Sequence, residues 1–318
     1  MSDSQRRLVL HIGMPKTGTT ALQKFFYYNR AELLEQGILF PRLFAHENIG
    51  HFALAHKLAG TERGRTVSLS VEDLENEISE SDATTVLISS ETFGSHGIHH
   101  PVAERMADLA ARMRLDPIIV VFLREQASYI QSLYAQRIKT GYSTDEFDPF
   151  VSSFIENEQL KYLSVLAPWE DQFKRVAVRL YPPEGQELIE AFAEAAGLSW
   201  NRSLLGELGR ANTTPTARLV EFTRQFHLLL QSSKVPQSQI RQLLNVFRAF
   251  LSAQPDESGA FVGLTPEIAD RIRMRFVDTN REVARRHFGR EVLFEESCKP
   301  NADRRNIYRP PRTITFSG

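Results

Sequence analysis

Short apolar runs alternate with segments whose apolar residues recur at helical spacing over the first two thirds of the chain. The apolar runs predict five strands, at 8–12, 38–41, 85–89, 118–123 and 176–181. The segments between them predict helices, at 19–36, 70–80, 101–114, 126–139 and 186–196. Strands that are apolar nearly throughout are typical of a parallel sheet covered on both faces. The pattern therefore predicts an α/β fold: a P-loop-type, doubly wound, mainly parallel five-stranded sheet with helices on both faces.

The last third of the chain is predicted to be helical. Thr214 with Pro215, Pro236, and Thr265 with Pro266 each introduce a helix. We interpret these helices as a cover over the sheet's ligand-binding edge, so residues 1–296 are predicted to form one domain with a helical cover at about 203–290. Residues 297–318 form a polar, basic C-terminal tail, and a solvated tail is favoured over an arm that contacts an anion.

A glycine loop follows the first predicted strand. Gly13 and Gly18 match the two glycines of a Walker A pattern, and Thr20 matches its Ser/Thr. The lysine that should follow the second glycine is replaced by Thr19, and a lysine stands earlier, at Lys16. A strand, a glycine loop and a helix present N–H groups and a helix dipole to a phosphate. The displaced lysine favours a nucleotide with one 5′-phosphate, and the alternative is a glycine turn before a capped helix.

A second candidate anion site follows the fourth predicted strand. Arg124 stands at the end of this strand, where an open α/β sheet places ligand-binding groups, and Ser132 lies eight positions later in the next helix. An arginine and a hydroxyl there could bind a second phosphate. Two such sites predict a nucleotide phosphorylated at both its 5′ and 3′ positions. The alternative for Arg124 is a surface ion pair with Glu125 or Glu146.

Composition limits the class of protein but does not indicate a function. The chain has 318 residues, 42% hydrophobic and 24% charged, with a net charge of −1, which gives no general reason to expect nucleic acid or an anionic membrane as partner. Its single cysteine, Cys298, excludes an intramolecular disulfide and suits a reducing cytoplasm. No apolar run is long enough for a signal or transmembrane segment. The sequence therefore predicts a cytoplasmic protein without a transmembrane segment and without nucleic acid as a partner.

The two phosphate elements together resemble sulfotransferases that use 3′-phosphoadenosine 5′-phosphosulfate (PAPS). The family's 5′-phosphate loop, Pro-Lys-x-Gly-Thr-Thr, matches residues 15–20, and its Leu-Arg and Ser-x-Tyr elements match residues 123–124 and 132–134. The resemblance is closest to bacterial members, whose third strand often ends Ser-Ser-Glu, as at residues 89–91. Many members carry a proline and a second arginine after the strand-end arginine, whereas this chain has Gln126 and Tyr129.

The resemblance implies in-line transfer of a sulfuryl group to a hydroxyl or amine, with a glycan or glycolipid as the expected acceptor. Lys16 would stabilise the leaving phosphate. The 5′-phosphate would be held by the loop, and the 3′-phosphate by Arg124 and Ser132. The 5′-phosphate loop consists of Pro15, Lys16, Thr17, Gly18, Thr19 and Thr20. No metal is expected, because the transferred group carries less charge than a phosphoryl group.

A general base must take the acceptor's proton. Glu91 is the first candidate because it follows the third strand at the nucleotide-binding edge, and the alternative is a strand-end carboxylate paired with an arginine. His51 is the second candidate, and the histidines at 96, 99 and 100 follow without a metal-ligand spacing. His11, in the middle of an apolar strand, is interpreted as a core histidine.

Two other function classes remain open at this stage. A P-loop kinase or nucleotide-dependent switch would use Glu91 as a metal-associated acid, but the displaced Lys16 argues against it. A non-catalytic domain could have kept the nucleotide pocket and bind a partner through its helical half. The presence of Lys16, Arg124 and Ser132 argues against this second alternative.

Overall fold

Five parallel strands form one sheet in the order β2-β3-β1-β4-β5. The computed structural model describes residues 5–45, 49–182, 185–201, 203, 215–233, 235–254 and 258–295. The strands are β1 Arg7–Ile12, β2 Ile38–Leu39, β3 Thr85–Ser90, β4 Asp116–Leu123 and β5 Val176–Leu180. The structure thus confirms the predicted α/β fold with a five-stranded parallel sheet.

Helices connect the strands and follow the sheet. Up to the end of the strand-bearing part they are α1 Thr19–Tyr28, α2 Arg30–Glu35, α3 Phe52–Ala59, α4 Glu62–Arg65, α5 Val71–Ser79, α6 His99–Arg112, α7 Gln126–Thr140, α8 Phe147–Phe154, α9 Tyr162–Gln172 and α10 Gly185–Ala196. The helices that follow are α11 Ala217–Ser232, α12 Gln237–Ser252 and α13 Pro266–Phe288.

The chain divides into two compact units. The first consists of Met1–Arg124, Lys161–Ala211 and Asp278–Leu293, and it contains the whole sheet. The second consists of Glu125–Leu160, Asn212–Val277 and Phe294–Gly318. A single domain over 1–296 therefore stays a prediction, and the predicted basic tail at 297–318 lies outside the described residues.

Both faces of the sheet in the first unit are buried. Alternate residues of β1 point to opposite faces, yet Leu8, Val9, Leu10 and Ile12 are all fully buried. One face packs against α1 and α10, with Phe26 and other aromatic side chains in a single apolar cluster. This double burial explains why the strands are apolar at nearly every position.

The segment predicted as one helix at 19–36 forms two helices instead. The backbone N–H and the side-chain Nδ2 of Asn29 both donate to the carbonyl of Phe25, at 3.1 and 2.8 Å. The asparagine thereby ends α1, and α2 begins at the next residue. Further along, α8 and α9 were not predicted, and α9 contains Pro168 in its interior.

The second unit is built from helices around its own core. Its largest apolar cluster combines residues of α7, α8, α11 and the first part of α13. A buried ion pair joins Arg224 to Glu221, with 2.7 Å between Nη2 and Oε1, and Arg224 also donates to the carbonyl of Thr144. This pair fixes α11 against the segment that follows α7.

Candidate functional site

Three predicted site elements meet at one edge of the sheet in the first unit. The central strand β1 lies between β3 and β4, and its end leads into the glycine loop. Ile12 pairs with Ser90, so Glu91 directly follows on one side of the loop. Arg124 directly follows β4 on the other side. This is the point where the strand order reverses, the usual binding crevice of a doubly wound sheet.

The backbone of the loop is held in an unusual conformation. Gly18 has φ +75° and Lys16 has φ +64°, and the left-handed region is unfavourable for a lysine. A Cβ on Gly18 would lie 2.3 Å from Leu188 Cδ2 and 3.0 Å from Tyr181 Cε2. Only glycine therefore fits at this position without displacing its neighbours.

The loop leads into an open helix N-terminus. Helix α1 starts at Thr19, and among the described residues no side chain caps it. The N–H groups of the first turn have no acceptor four residues earlier within the helix, and together with the helix dipole they favour an anion. The capped helix of the predicted alternative is therefore not what forms.

The threonines of the loop differ in what their hydroxyls bind. Thr17 and Thr19 are buried, and both hydroxyls donate to the carbonyl of Met14, at 2.7 and 3.1 Å. A hydroxyl has one proton to donate, so these two groups brace the loop. Thr20 is exposed at the start of α1, and Pro15 and Lys16 are half-buried.

Arg124 contacts the loop directly. Its Nη1 donates to the carbonyl of Lys16 over 2.9 Å, and its guanidinium carbon lies 5.5 Å from the centre of the Tyr181 ring. The Tyr162 hydroxyl donates to the carbonyl of Arg124. The strand-end arginine is therefore positioned by two tyrosines and in turn holds the backbone at Lys16.

These two tyrosines escape sequence reasoning for different reasons. Tyr181 follows β5, the strand next to β4. Its position at the end of an apolar run could have indicated that it lies at the ligand-binding edge of the sheet. Tyr162 begins α9, a helix that the sequence did not predict. Both contact the site because they converge on Arg124 and Gly18 from elements distant in the chain.

Glu91 opens a 3₁₀ turn, Glu91–Gly94, that packs on the loop. A Cβ on Gly94 would lie 2.8 Å from the carbonyl oxygen of Gly13, so the turn and the loop are in close contact. Burial raises the pKa of the Glu91 carboxyl, and the positive charge of Lys16 opposes this rise. Lys16 and Glu91 thus lie close enough for the charge of the lysine to act on the buried carboxyl.

His51 occupies a different setting, with both ring nitrogens bonded to the backbone. The N–H of Ser89 donates to Nδ1 over 3.1 Å, so the proton of the neutral ring is on Nε2, which donates to the carbonyl of Pro41 over 3.1 Å. The His51 N–H also donates to the carbonyl of Ser89, at 2.7 Å. The ring is fully buried, and burial lowers its pKa to about 4. His51 therefore secures β3 beyond the end of the short β2.

His11 is a core residue in the structure, as its sequence position indicates. It is fully buried, its Nδ1 lies 2.8 Å from the Ser89 hydroxyl, and its ring meets Phe122 and Phe192 edge-on. Burial lowers the pKa of His11 to about 3. The imidazole is thus neutral in the apolar core that packs on the sheet.

The two buried histidines predict a loss of stability in mild acid. Each has a pKa near 6.5 in the unfolded chain and a lower one in the folded protein, so the unfolded state binds more protons below pH 6.5. Their contribution is complete above pH 6.5 and falls by about 1.4 kcal/mol per pH unit for each ring as the pH drops toward 4. Urea unfolding at pH 7.5, 6 and 5 measures this slope.

A His11→Gln variant provides the control for this prediction. The slope between pH 6.5 and 5 should fall by about 1.4 kcal/mol per pH unit, because the ring of residue 11 no longer takes up a proton on unfolding, whereas His51 still does. An unchanged slope would show that His11 titrates in the folded protein as it does in the unfolded chain.

The histidines that follow Glu91 lie near one another but do not form a metal site. The ring centres of His99 and His100 are 4.7 Å apart and those of His96 and His99 are 5.4 Å apart, while His99 Nε2 lies 3.1 Å from the carbonyl of Ser164. In the described part of the chain no group of three or more His, Cys, Asp or Glu residues could hold a metal ion.

Among the residues that the structure describes, no helix has the length and apolar content needed to cross a membrane.

Ser132, the second predicted 3′-phosphate residue, lies on α7 and is half-buried. It belongs to the second unit, whereas Arg124 is in the first. The first unit therefore brings together the glycine loop, Glu91 and Arg124.

No protein-family model and no curated protein matches the chain. Several solved structures are similar to it, two of which follow. A sulfotransferase from Alicyclobacillus acidocaldarius is 15% identical, with a TM-score of 0.44, over 76% of this chain and 96% of that chain. The PezAT toxin-antitoxin system of Streptococcus pneumoniae is 13% identical, with a TM-score of 0.30, over 72% of this chain and 89% of that chain. Similarities this weak carry no argument about activity, which has to be inferred from the loop and its neighbours.

Proposed function

We propose that the protein is a sulfotransferase that moves the sulfuryl group of PAPS to a hydroxyl of an acceptor. The observation that carries this proposal is that Lys16, in the glycine loop, and Glu91, which directly follows β3, lie near enough for the charge of the lysine to act on the buried carboxyl. In-line transfer needs a cation that stabilises the leaving phosphate and a base that takes the proton of the acceptor. Lys16 and Glu91 would supply these two groups. The absence of a lysine after Gly18 argues against a nucleoside triphosphate as the ligand.

The 5′-phosphate of the donor would bind to the amides of the loop and of the first turn of α1. The uncapped helix end and the left-handed backbone at Lys16 and Gly18 support this assignment. Thr20, whose position is exposed, would add a hydroxyl. Thr17 and Thr19 would act by keeping the loop in shape, since their protons are used by Met14.

Transfer would proceed by attack of the acceptor oxygen on sulfur while the bond from sulfur to the 5′-phosphate oxygen breaks. Glu91 would accept the proton of the acceptor, and its raised pKa makes it a stronger base than a solvated glutamate. Lys16 would stabilise the negative charge that develops on the departing phosphate. His51 would support β3 next to Glu91, because both of its ring nitrogens are engaged by the backbone.

The 3′-phosphate would bind at the guanidinium of Arg124, which also donates to the carbonyl of Lys16 and stands at the end of β4. A planar guanidinium suits this task, since it can donate two parallel hydrogen bonds to a phosphate.

We further propose a glycan or glycolipid hydroxyl in the cytoplasm as the acceptor. This class rests on the likeness of residues 89–91 to the Ser-Ser-Glu of bacterial sulfotransferases. Mass spectrometry of a glycan extract incubated with the protein and isotope-labelled PAPS would identify the product by its added sulfate.

A thermal-shift panel tests the donor. Adenosine 3′,5′-bisphosphate without metal should raise the melting temperature, because a ligand that binds only the folded state stabilises it by mass action. ATP with Mg²⁺ should have a smaller effect. Stabilisation by ATP with Mg²⁺ alone would reject the sulfotransferase proposal and favour a P-loop kinase or switch.

Arg124→Ala is expected to weaken adenosine 3′,5′-bisphosphate about ten- to a hundredfold more than adenosine 5′-phosphate, as measured by calorimetry. A charge-assisted contact is worth about 1.5–3 kcal/mol, and only the bisphosphate has a 3′-phosphate to lose. Both nucleotides should also lose a smaller, equal amount, since Arg124 braces the carbonyl of Lys16. Equal total losses for the two ligands would mean that Arg124 only supports the loop.

A further inference from the structure

A polar pair interrupts the apolar core of the first unit next to the glycine loop. On one face of the sheet, Val9 of β1 pairs with Leu87 of β3, and both belong to the apolar cluster that packs against α1 and α10. The next pair on this face, two residues further along each strand, is His11 with Ser89. Both residues of this second pair are fully buried. The pairing thus changes from apolar to polar at the end of the strands that leads into the site.

Gln23, in the second turn of α1, bonds to this polar pair. The Ser89 hydroxyl lies 2.8 Å from His11 Nδ1 and accepts from Gln23 Nε2 over 3.3 Å. A hydroxyl can donate one hydrogen bond and accept two, so it serves both partners when it donates to the histidine. The same Gln23 nitrogen also donates to the carbonyl of Ser89, over 3.4 Å. One side chain of α1 therefore bonds to both the backbone and the side chain of a residue near the end of β3. We call Gln23, His11 and Ser89 the Ser89 network.

The Gln23 amide is closely confined. The residue is 7% exposed. A Cβ on Gly50 would lie 2.3 Å from its Nε2 and 2.4 Å from its Cδ, so the backbone of Gly50 lies directly against the amide. Any other residue at position 50 would displace the amide. Because the amide is held between this backbone and Ser89, its hydrogen bonds fix the separation of α1 and β3.

The Ser89 network lies next to the parts of the site that the proposed reaction uses. Ser89 stands two residues before Glu91, and Gln23 lies in the helix that directly follows the glycine loop. At the other end of the loop, the N–H of Gly13 donates to the carbonyl of Ser90 over 2.9 Å. This backbone bond joins β3 to the start of the loop, and the network joins β3 to the helix at the end of the loop. The end of β3, which carries Glu91, is therefore fastened to both ends of the loop.

We propose that Gln23 and Ser89 are positioning residues for sulfuryl transfer, which hold Glu91 at a fixed distance from the glycine loop. This inference rests on the sulfotransferase function proposed above. Stability alone does not require these groups, because a buried polar pair can be replaced by apolar groups of the same shape at little cost. Transfer does require a fixed distance, since a misplacement of about 1 Å can lower a rate about 10²-fold. The network is buried, so it acts on the reaction through Glu91 and not by contact with the donor or acceptor.

Gln23→Met tests the proposal, because methionine has nearly the size of glutamine but no donor for Ser89. Turnover should fall about ten- to a hundredfold, while the affinity for adenosine 3′,5′-bisphosphate, measured by calorimetry, should change by less than about twofold. Ser89→Ala removes the other side of the same link and should separate turnover from affinity in the same way, even where Gln23→Met does not fold. Ile78→Val, a core substitution on α5 in the same unit, controls for lost stability and should leave turnover unchanged.

A double-variant cycle with Glu91→Gln distinguishes positioning from a general structural role. Gln23→Met should change the residual rate of Glu91→Gln by less than about twofold, because the carboxylate that it positions is already gone. A structural role would lower the rate by the same factor with and without Glu91, and this result would overturn the proposal. Transfer by the unmodified protein is measured first. Its absence would refute the proposed function and this role with it, whereas full turnover of Gln23→Met in an active protein would overturn the positioning role alone.

Discussion

Replacing Glu91 with glutamine is expected to abolish most sulfuryl transfer, typically by about 10²–10⁴-fold, while nucleotide affinity is retained. Glutamine keeps the shape of the side chain but cannot accept the acceptor's proton. In the unmodified protein the rate should rise with pH through one ionisation, whose pKa lies above that of a solvated glutamate because burial disfavours the charged carboxylate. Initial rates with PAPS across the pH range and calorimetry with adenosine 3′,5′-bisphosphate measure the two quantities.

His51→Gln is the companion variant in this experiment. We expect it to lower stability rather than turnover, since the ring serves as a partner for the backbone of Ser89 and Pro41. An inactive but folded His51→Gln together with an active Glu91→Gln would reverse the assignment and make the histidine the base. Full activity in both variants would mean that another group accepts the proton, and it would refute the proposed site.

Lys16→Ala is expected to lower turnover by about 10²–10³-fold, with a much smaller loss in the affinity for adenosine 3′,5′-bisphosphate. The reason is that the charge on the leaving phosphate grows as the bond to sulfur breaks, so the lysine contributes most in the transition state. Single-turnover rates and equilibrium binding separate the two effects. Lys24→Ala, on the exposed side of α1, is the control for loss of a positive charge from the same helix.

Lys16→Gly sharpens this test. A lysine at φ +64° is strained by about 1–2 kcal/mol relative to glycine, so the glycine variant should be at least as stable as the unmodified protein and still lack activity. A chain that keeps a lysine where glycine is less strained points to a need for its side chain. Near-normal turnover in both Lys16 variants would remove the residue from the mechanism.

The strands and the loop could be predicted from the sequence because each depends on local signals. A parallel strand covered on both faces must be apolar at nearly every position, and β3 is buried at all six. The loop is marked by Gly13 and Gly18 directly after such a strand. The neighbourhood of Lys16, Glu91 and Arg124 then follows from the rule that strand ends meet at one edge of a parallel sheet.

Other features depend on contacts that no local pattern records. The sequence gives no sign that Asn29 bonds back to Phe25 and divides the first helix, or that Pro168 is tolerated inside α9. It also cannot show that the hydroxyls of Thr17 and Thr19 turn inward to one carbonyl. These outcomes are decided by the course of the backbone in three dimensions.

The histidine beside β3 has a consequence for the behaviour of the protein in acid. Strand β2, at the sheet edge, pairs with only the first two residues of β3, and further along the N–H of Ser89 finds its acceptor in the His51 ring. A protonated ring cannot accept this bond, so acid leaves an unpaired donor at the edge of the sheet. Ser89 and His51 are both fully buried, and a buried donor that loses its acceptor costs about 1–3 kcal/mol. The imidazole therefore keeps β3 paired beyond the end of β2 only while the ring is neutral.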